Sequence, residues 1–294
     1  MNDDLTIGLV QLQSSVGDTA GNIGHALEQV RLAAESDCEL IVLPEFFNTG
    51  YFPIYWDPEH MKLAEHAEGP AITKISEMAQ ASQCYIIATI YEVARPGEYF
   101  DTAFLIGPQG DIVGRYRKTH APARLSLEKI YFRPAASYPV FQVGAWTVGI
   151  AICYDIYFPE SVRCLAVEGA DLVVAPFADV ALPLWDELFQ VRAFENLLYV
   201  AACNMVGSEG EGAKMTFGGR SLIVDPDGAL VSSGDREQEG LVKATLSLSD
   251  VYDARRRRHL WRDRNPAAYG SLVDLRNGRP GRESLLSKGE SSWQ

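Results

Sequence analysis

Short apolar runs alternate with segments of helical periodicity along almost the whole chain, and this alternation restricts the fold more than any other feature of the sequence. TIGLVQLQ (6–13) reads as a strand, and GNIGHALEQVRLAAES (21–36) places its apolar residues at helical spacing. ELIVLPE (39–45) is a short buried strand ending in a turn, AITKISEMAQASQ (71–83) is helical, and YIIATIYEVA (85–94) is again a strand. TAFLIGPQGDIVGRYRK (102–118) predicts a hairpin about a GPQG turn, and PVFQVGAWTVGIAIC (139–153) predicts two strands. A helix over 159–168, the strand DLVVAPFA (171–178), the helix LWDELFQVRAFENLL (184–198) and the strand YVAACNMV (199–206) follow. GGRSLIVDPDGALVSSG (218–234) predicts a second hairpin, and LVKATLSL (241–248) the last strand. The mostly apolar strands call for sheets covered by helices, so the expected class is α/β, and the hairpins make the sheets mixed.

No linker, low-complexity tract or repeat of solenoid period breaks the pattern. Residues 1–275 are therefore expected to form a single domain and 276–294 a C-terminal tail. With 47% apolar and 22% charged residues among 294, the chain can bury a large core. Its net charge of −13 argues against nucleic acid as a partner. The one basic run, RRRR at 255–258, reads as a solvated or subunit-contacting face. Five cysteines, an odd number at wide spacings without a CxxC, make neither a disulfide framework nor a zinc pattern. The start, MNDDLTIGLVQLQ, lacks a basic region with a long apolar core, and no apolar run is long enough to span a bilayer. Neither a secretory signal nor a membrane partner is expected, and a reducing cytoplasm is the expected compartment.

Three apolar strands end in reactive side chains: ELIVLPE delivers Glu45, IVGRYRK delivers Lys118 and VGIAIC delivers Cys153. Ligands of layered α/β folds bind outside the carboxyl ends of strands, so an acid, an amine and a thiol at such ends can converge on one cleft. A thiol with a pKa near ~8.5 is only a few per cent thiolate at neutral pH. A carboxylate beside it takes its proton, and an ammonium stabilises first the thiolate and then an oxyanion. Backbone N–H groups in the turn after Cys153 can supply a second oxyanion donor. Each residue also has a plain structural reading, as a small core residue, a surface or capping acid, and a solvated lysine. The pattern alone leaves both readings open.

LIVLPEFFNTGY around Glu45, GRYRKTH around Lys118 and VGIAICYDIYFPESVR around Cys153 resemble the nitrilase superfamily of carbon–nitrogen hydrolases. GADLVVAPFA, VRAFENLLYVAACNMVG and GGRSLIVDPDG extend the resemblance over residues 5–275. It implies a four-layer α-β-β-α sandwich. It implies Glu45 as general base, Cys153 as nucleophile, and an oxyanion hole made by Lys118 and the N–H of Tyr154. It also implies a second glutamate, Glu128, that orients Lys118. Where the family reads Phe-x-Pro-Gly after that glutamate, this chain has Phe132-Arg133-Pro134-Ala135, which puts the conformation of the loop in question. Asp155 is expected to shape the turn after Cys153, and Pro159 and Glu160 to begin the next helix. That helix and the one at 184–198 resemble the family's dimer-forming pair, implying a homodimer or higher homo-oligomer.

True nitrilases carry Cys-Trp-Glu at the nucleophile; Cys153-Tyr154-Asp155 favours an amide over a nitrile. Ile156, Tyr157 and Phe158 stand where hydrolases of N-carbamoyl-D-amino acids carry an arginine for the substrate carboxylate. The resemblance thus implies hydrolysis of a small linear amide to a carboxylic acid and ammonia through a thioester, with no metal or organic cofactor. An N-carbamoyl amine or amino acid amidohydrolase, releasing ammonia and carbon dioxide, is the alternative. A non-catalytic binding member, or Cys153 as a redox-sensing thiol, lies further off. Tyr51, His120, Tyr154, Phe177 and Trp185 follow catalytic or pocket-forming strands and are the candidate substrate contacts. Each also reads as an ordinary core or loop residue.

Overall fold

The computed structural model describes residues 3–123, 126–180, 183–210 and 214–273. The chain forms two compact units, Met1–Arg256 and Arg257–Gln294. In chain order the first contains β1 (Asp4–Gln11), α1 (Thr19–Glu35), β2 (Leu40–Val42), α2 (Pro70–Ser82), β3 (Tyr85–Arg95), β4 (Glu98–Ile106), β5 (Ile112–Arg117) and α3 (Glu128–Tyr131). It continues through β6 (Val140–Val143), β7 (Trp146–Ile150), α4 (Pro159–Val167), β8 (Leu172–Pro176), α5 (Trp185–Asn196) and β9 (Tyr199–Cys203). The short β10 (Ser208–Glu209) and β11 (Met215–Thr216) precede β12 (Leu222–Val224), β13 (Leu230–Ser233), β14 (Gly240–Ser247) and α6 (Leu248–Arg257). In the second unit the described residues form α7 (Leu260–Asp263) and two 3₁₀ turns, Pro266–Ala268 and Gly270–Leu272. The expected tail at 276–294 lies outside the described residues.

Two six-stranded sheets result, ordered β14-β1-β2-β3-β4-β5 and β13-β12-β9-β8-β7-β6. In each, three central strands run parallel, β1-β2-β3 and β7-β8-β9, and antiparallel strands close the flanks. The inner faces meet where Cys203 in β9 places its Sγ 3.3 Å from the Val42 carbonyl and 3.4 Å from that of Val10. On the outer face of the first sheet, Ile23, Val30, Ile72 and Ile75 of α1 and α2 pack against Ile41, Ile86 and Phe104. On the second, α4 and α5 cover β7 and β9. A Cβ at Gly149 in β7 would stand 2.9 Å from Leu165, so glycine there lets α4 lie close to the sheet. The architecture is the four-layer α-β-β-α sandwich, and both sheets send the carboxyl ends of parallel strands toward one edge of the sandwich.

Two segments depart from expectation. The strand expected to begin at 102 begins at Glu98, because Pro96-Gly97, with Gly97 at φ +85°, closes a further hairpin between β3 and β4. The basic run is not wholly a solvated face. Arg255 lies on the helical face of Val251 and Ala254, donates to the Asp171 carboxylate at 2.9 Å and to the Ala170 carbonyl at 2.7 Å, and ties α6 to the turn before β8. Among the described residues no helix is long and apolar enough to cross a membrane.

Candidate active site

Glu45 stands three residues past β2 and is fully buried. Its N–H donates to the Phe177 carbonyl at 3.3 Å, and its Oε2 accepts the Ala178 N–H at 3.0 Å. Both partners follow β8, so the carboxylate is fixed where the two sheets meet. Lys118 follows β5 directly; its N–H donates to the Asp101 carbonyl at 2.9 Å and its carbonyl accepts the Ala135 N–H at 3.0 Å. Glu128 opens the single turn of α3.

These elements enclose one ammonium among three carboxyl groups. Lys118 Nζ lies 2.6 Å from Glu45 Oε1, 2.7 Å from Glu128 Oε2 and 3.3 Å from Asp101 Oδ2. The Tyr51 hydroxyl donates to the other oxygen of Glu128 at 2.6 Å. The carboxyl groups of Glu45, Asp101 and Glu128 offer oxygens within 4.8 Å of one another, a spacing that suits a cation, and the Lys118 ammonium already stands against all three. The Asp101 carboxyl thus has the Lys118 ammonium against one oxygen and faces the carboxyl of Glu45.

Burial dominates the titration of this group. It works against the Lys118 ammonium, but Glu128 and Glu45 outweigh it and raise the pKa. Burial, then the neighbouring carboxylates, against the pull of Lys118, hold the carboxyl of Asp101 well above the usual range and push Glu128 up to about 7.

Cys153 lies beyond β7 at the head of a 3₁₀ turn, Cys153–Tyr157, with φ +46°, a strained value for a residue with a side chain. Asp155 holds that turn: its carboxylate accepts the N–H groups of Ile152 at 3.1 Å and His120 at 2.9 Å and the hydroxyl of Tyr116 at 2.6 Å. Burial, then the charge of Glu45, raise the Cys153 thiol well above its ordinary pKa, so it is neutral at rest and needs a base before it can attack. Cys153 opens onto a cavity of about 830 Å³, walled also by Tyr51, Tyr154, Tyr157, Asp179 and Lys214.

Of the candidate substrate contacts, Tyr51 and Tyr154 line this cavity. Phe177 and Trp185 do not: with Phe189 they form a buried aromatic cluster at ring separations of 4.9–5.6 Å, because Phe177, just past β8, packs against the inward-facing rings of Trp185 and Phe189 on α5. His120 also lies outside the cavity wall, its ring 2.8 Å from Asp155 Oδ1 and stacked 3.8 Å from Phe158. Sequence reasoning missed Asp101, Tyr157 and Asp179. Asp101 was legible only through the Pro96-Gly97 turn signal, which moves the start of β4 upstream.

The Carbon-nitrogen hydrolase family model matches residues 6–256. A nitrilase of Pyrococcus abyssi is 32% identical over 270 residues, covering 87% of this chain and 99% of its own. An N-carbamoylputrescine amidase of Solanum lycopersicum is 29% identical, covering 94% of this chain and 97% of its own. An amidase from Nesterenkonia sp. AN1, solved as a mutant with the acetamide moiety of fluoroacetamide attached to its active-site cysteine, superposes with a TM-score of 0.79. It is 25% identical, with 92% of this chain and 97% of that one covered. The chain belongs to the carbon–nitrogen hydrolase family of the nitrilase superfamily and is a hydrolytic enzyme of that family.

Proposed function

We propose that the enzyme hydrolyses a small linear amide to a carboxylic acid and ammonia through a thioester on Cys153. Glu45 takes the proton from Cys153 Sγ, and the sulfur attacks the carbonyl carbon. The oxyanion is held by Lys118 Nζ and the Tyr154 N–H. As the tetrahedral intermediate collapses, Glu45 returns the proton to the leaving nitrogen and ammonia departs. Glu45 then deprotonates a water that attacks the thioester, releasing the acid and restoring the thiol. Glu128 and Asp101 orient Lys118.

The observation that carries this reading is the Lys118 ammonium held between Glu45 and Glu128 beside a buried, neutral thiol that opens onto the cavity. Ammonia release is to be measured across simple amides, N-carbamoyl amines, N-carbamoyl amino acids and nitriles, with Cys153→Ala as the blank. Release from amides that disappears in the blank supports the proposal; turnover retained by Cys153→Ala overturns it. A second reading, N-carbamoyl amidohydrolysis, is favoured by the likeness to an N-carbamoylputrescine amidase and would add carbon dioxide as a product. We further propose a homodimer through α4 and α5, whose Val167 and Val191 are exposed.

A further inference from the structure

Among the described residues Asp179 is the one acid on the cavity wall, and none of them gives it a counter-ion. It follows Ala178, whose N–H holds Glu45, so the segment after β8 that carries it also anchors the proposed base, which comes from β2 of the other sheet. Its backbone is pinned on both sides. Its N–H donates to Asn204 Oδ1 at 2.9 Å, and its carbonyl accepts from Asn204 Nδ2 at 3.0 Å and from the Gly218 N–H at 2.9 Å. Its carboxylate is steadied by the Tyr157 hydroxyl, which donates to Oδ2 at 3.1 Å from the same cavity wall. Among the described residues no lysine, arginine or histidine pairs with it. The other charged side chain on the cavity wall among the described residues, Lys214, is engaged elsewhere: its Nζ donates to the Ile54 carbonyl at 2.7 Å and lies over the Tyr55 ring.

A rigid carboxylate beside the nucleophile discriminates between acyl groups. A purely alkyl acyl group would cover Asp179 and give it no donor, leaving a desolvated charge without a partner. A ureido N–H next to the scissile carbonyl, or an ammonium further along the acyl chain, supplies the missing donor. Sites built to hydrogen-bond a substrate group reject analogues that lack it far more strongly than apolar sites reject a change of size.

We propose that Asp179, positioned by Tyr157, determines specificity, selecting substrates with a donor nitrogen on the acyl side of the scissile carbonyl. This rests on the hydrolase chemistry proposed above. Burial already raises the carboxyl of Asp179 above its ordinary pKa, as expected of an acid that lacks a cation until substrate arrives.

Three probes of similar length separate the possibilities: butyramide, which has no acyl-side donor; N-ethylurea, with a ureido N–H; and 4-aminobutyramide, with an ammonium. Steady-state ammonia release is measured for the wild type, Asp179→Asn and Tyr157→Phe. Asp179→Asn is expected to lower kcat/KM for a donor-bearing probe about 10- to 100-fold more than for butyramide, mainly through KM. Tyr157→Phe should give a smaller change in the same direction, and it carries the test if Asp179→Asn does not fold. The donor-bearing probe that responds tells a carbamoyl substrate from an amino amide. Equal losses on all three probes, or wild-type turnover confined to butyramide, would overturn the inference and leave the hydrolase reading standing. Silence of the wild type on all three would overturn both.

Discussion

The Tyr116 hydroxyl donates to the Asp155 carboxylate across 2.6 Å, and this bond joins the strand that ends in Lys118 to the turn that carries Cys153. Tyr116 belongs to β5 of the first sheet and Asp155 follows β7 of the second. The same carboxylate accepts the Ile152 N–H just before the nucleophile and the His120 N–H just after the lysine. One buried acid therefore sets the relative position of two reactive groups on different sheets. Neither sheet alone could hold the pair, because no backbone ladder crosses from one to the other.

Removing the hydroxyl tests this link. Tyr116→Phe is expected to cost about 1–2 kcal/mol of stability, the worth of a buried hydrogen bond to a charged acceptor. Asp155→Asn should cost more, about 3 kcal/mol, since an amide N–H then faces donors that the carboxylate satisfied. Both should reduce kcat more than they raise KM, because they displace the nucleophile and not the cavity wall. Urea denaturation and initial rates check this; wild-type stability and rate in Tyr116→Phe would contradict the linking role.

Lys118 makes a prediction about folding as well as catalysis. Among the described residues its ammonium is the only cation against three buried carboxyl groups. Lys118→Met leaves them facing one another, which for a broken buried ion pair costs about 3–5 kcal/mol. The loss should shrink as pH falls and the carboxyls protonate. Thermal unfolding at pH 5 and pH 8 checks the sign: a variant whose deficit is the same at both would show that the carboxylates do not depend on the lysine.

Much of this arrangement was legible in the sequence because it lies in local order. Glu45, Lys118 and Cys153 each end an apolar run, and strands announce themselves by composition. Asp155 was readable as a turn-shaping residue from its place two positions after the cysteine. What was not legible depends on the packing of one sheet on the other. Asp101 hides within β4, where a charged residue interrupts the apolar pattern that marks a strand. Phe177 and Trp185 follow a pocket-forming strand, yet Phe177 packs beneath α5 and Trp185 faces inward from it; whether an aromatic faces a cavity or a helix is settled by tertiary contacts. Asp179 gives no local sign that its carboxylate will face an open cavity.

Asp101 offers a quieter substitution. Its carboxyl is held well above the usual range by burial, then by Glu45 and Glu128 against the pull of Lys118, which favours the protonated form that an amide resembles in shape and charge. Asp101→Asn is therefore expected to match the wild type to within about 1 kcal/mol at pH 7, whereas Asp101→Ala opens a void and lets Lys118 move. Calorimetry on the two variants separates them. A large loss in Asp101→Asn would mean that the native residue is charged.

Glu128 carries the clearest pH signature. Burial, opposed by Lys118 and reinforced by Glu45, raises its pKa from 4.5 to about 7. A carboxyl whose folded pKa exceeds its unfolded value binds its proton more tightly when folded. Its contribution to stability is thus complete below pH 4.5 and is lost as pH rises through 7, and the span corresponds to roughly 3 kcal/mol. Glutamine mimics the protonated form at every pH. Glu128→Gln should match the wild type below pH 4.5 and become progressively more stable than it as pH rises toward 7, the gap levelling off above that, even as turnover falls because Lys118 has lost an anionic partner. Paired melting curves across this window decide the matter. A stability gap that stays flat, or that favours the wild type more at pH 8 than at pH 5, would show that Glu128 does not hold a proton across this window.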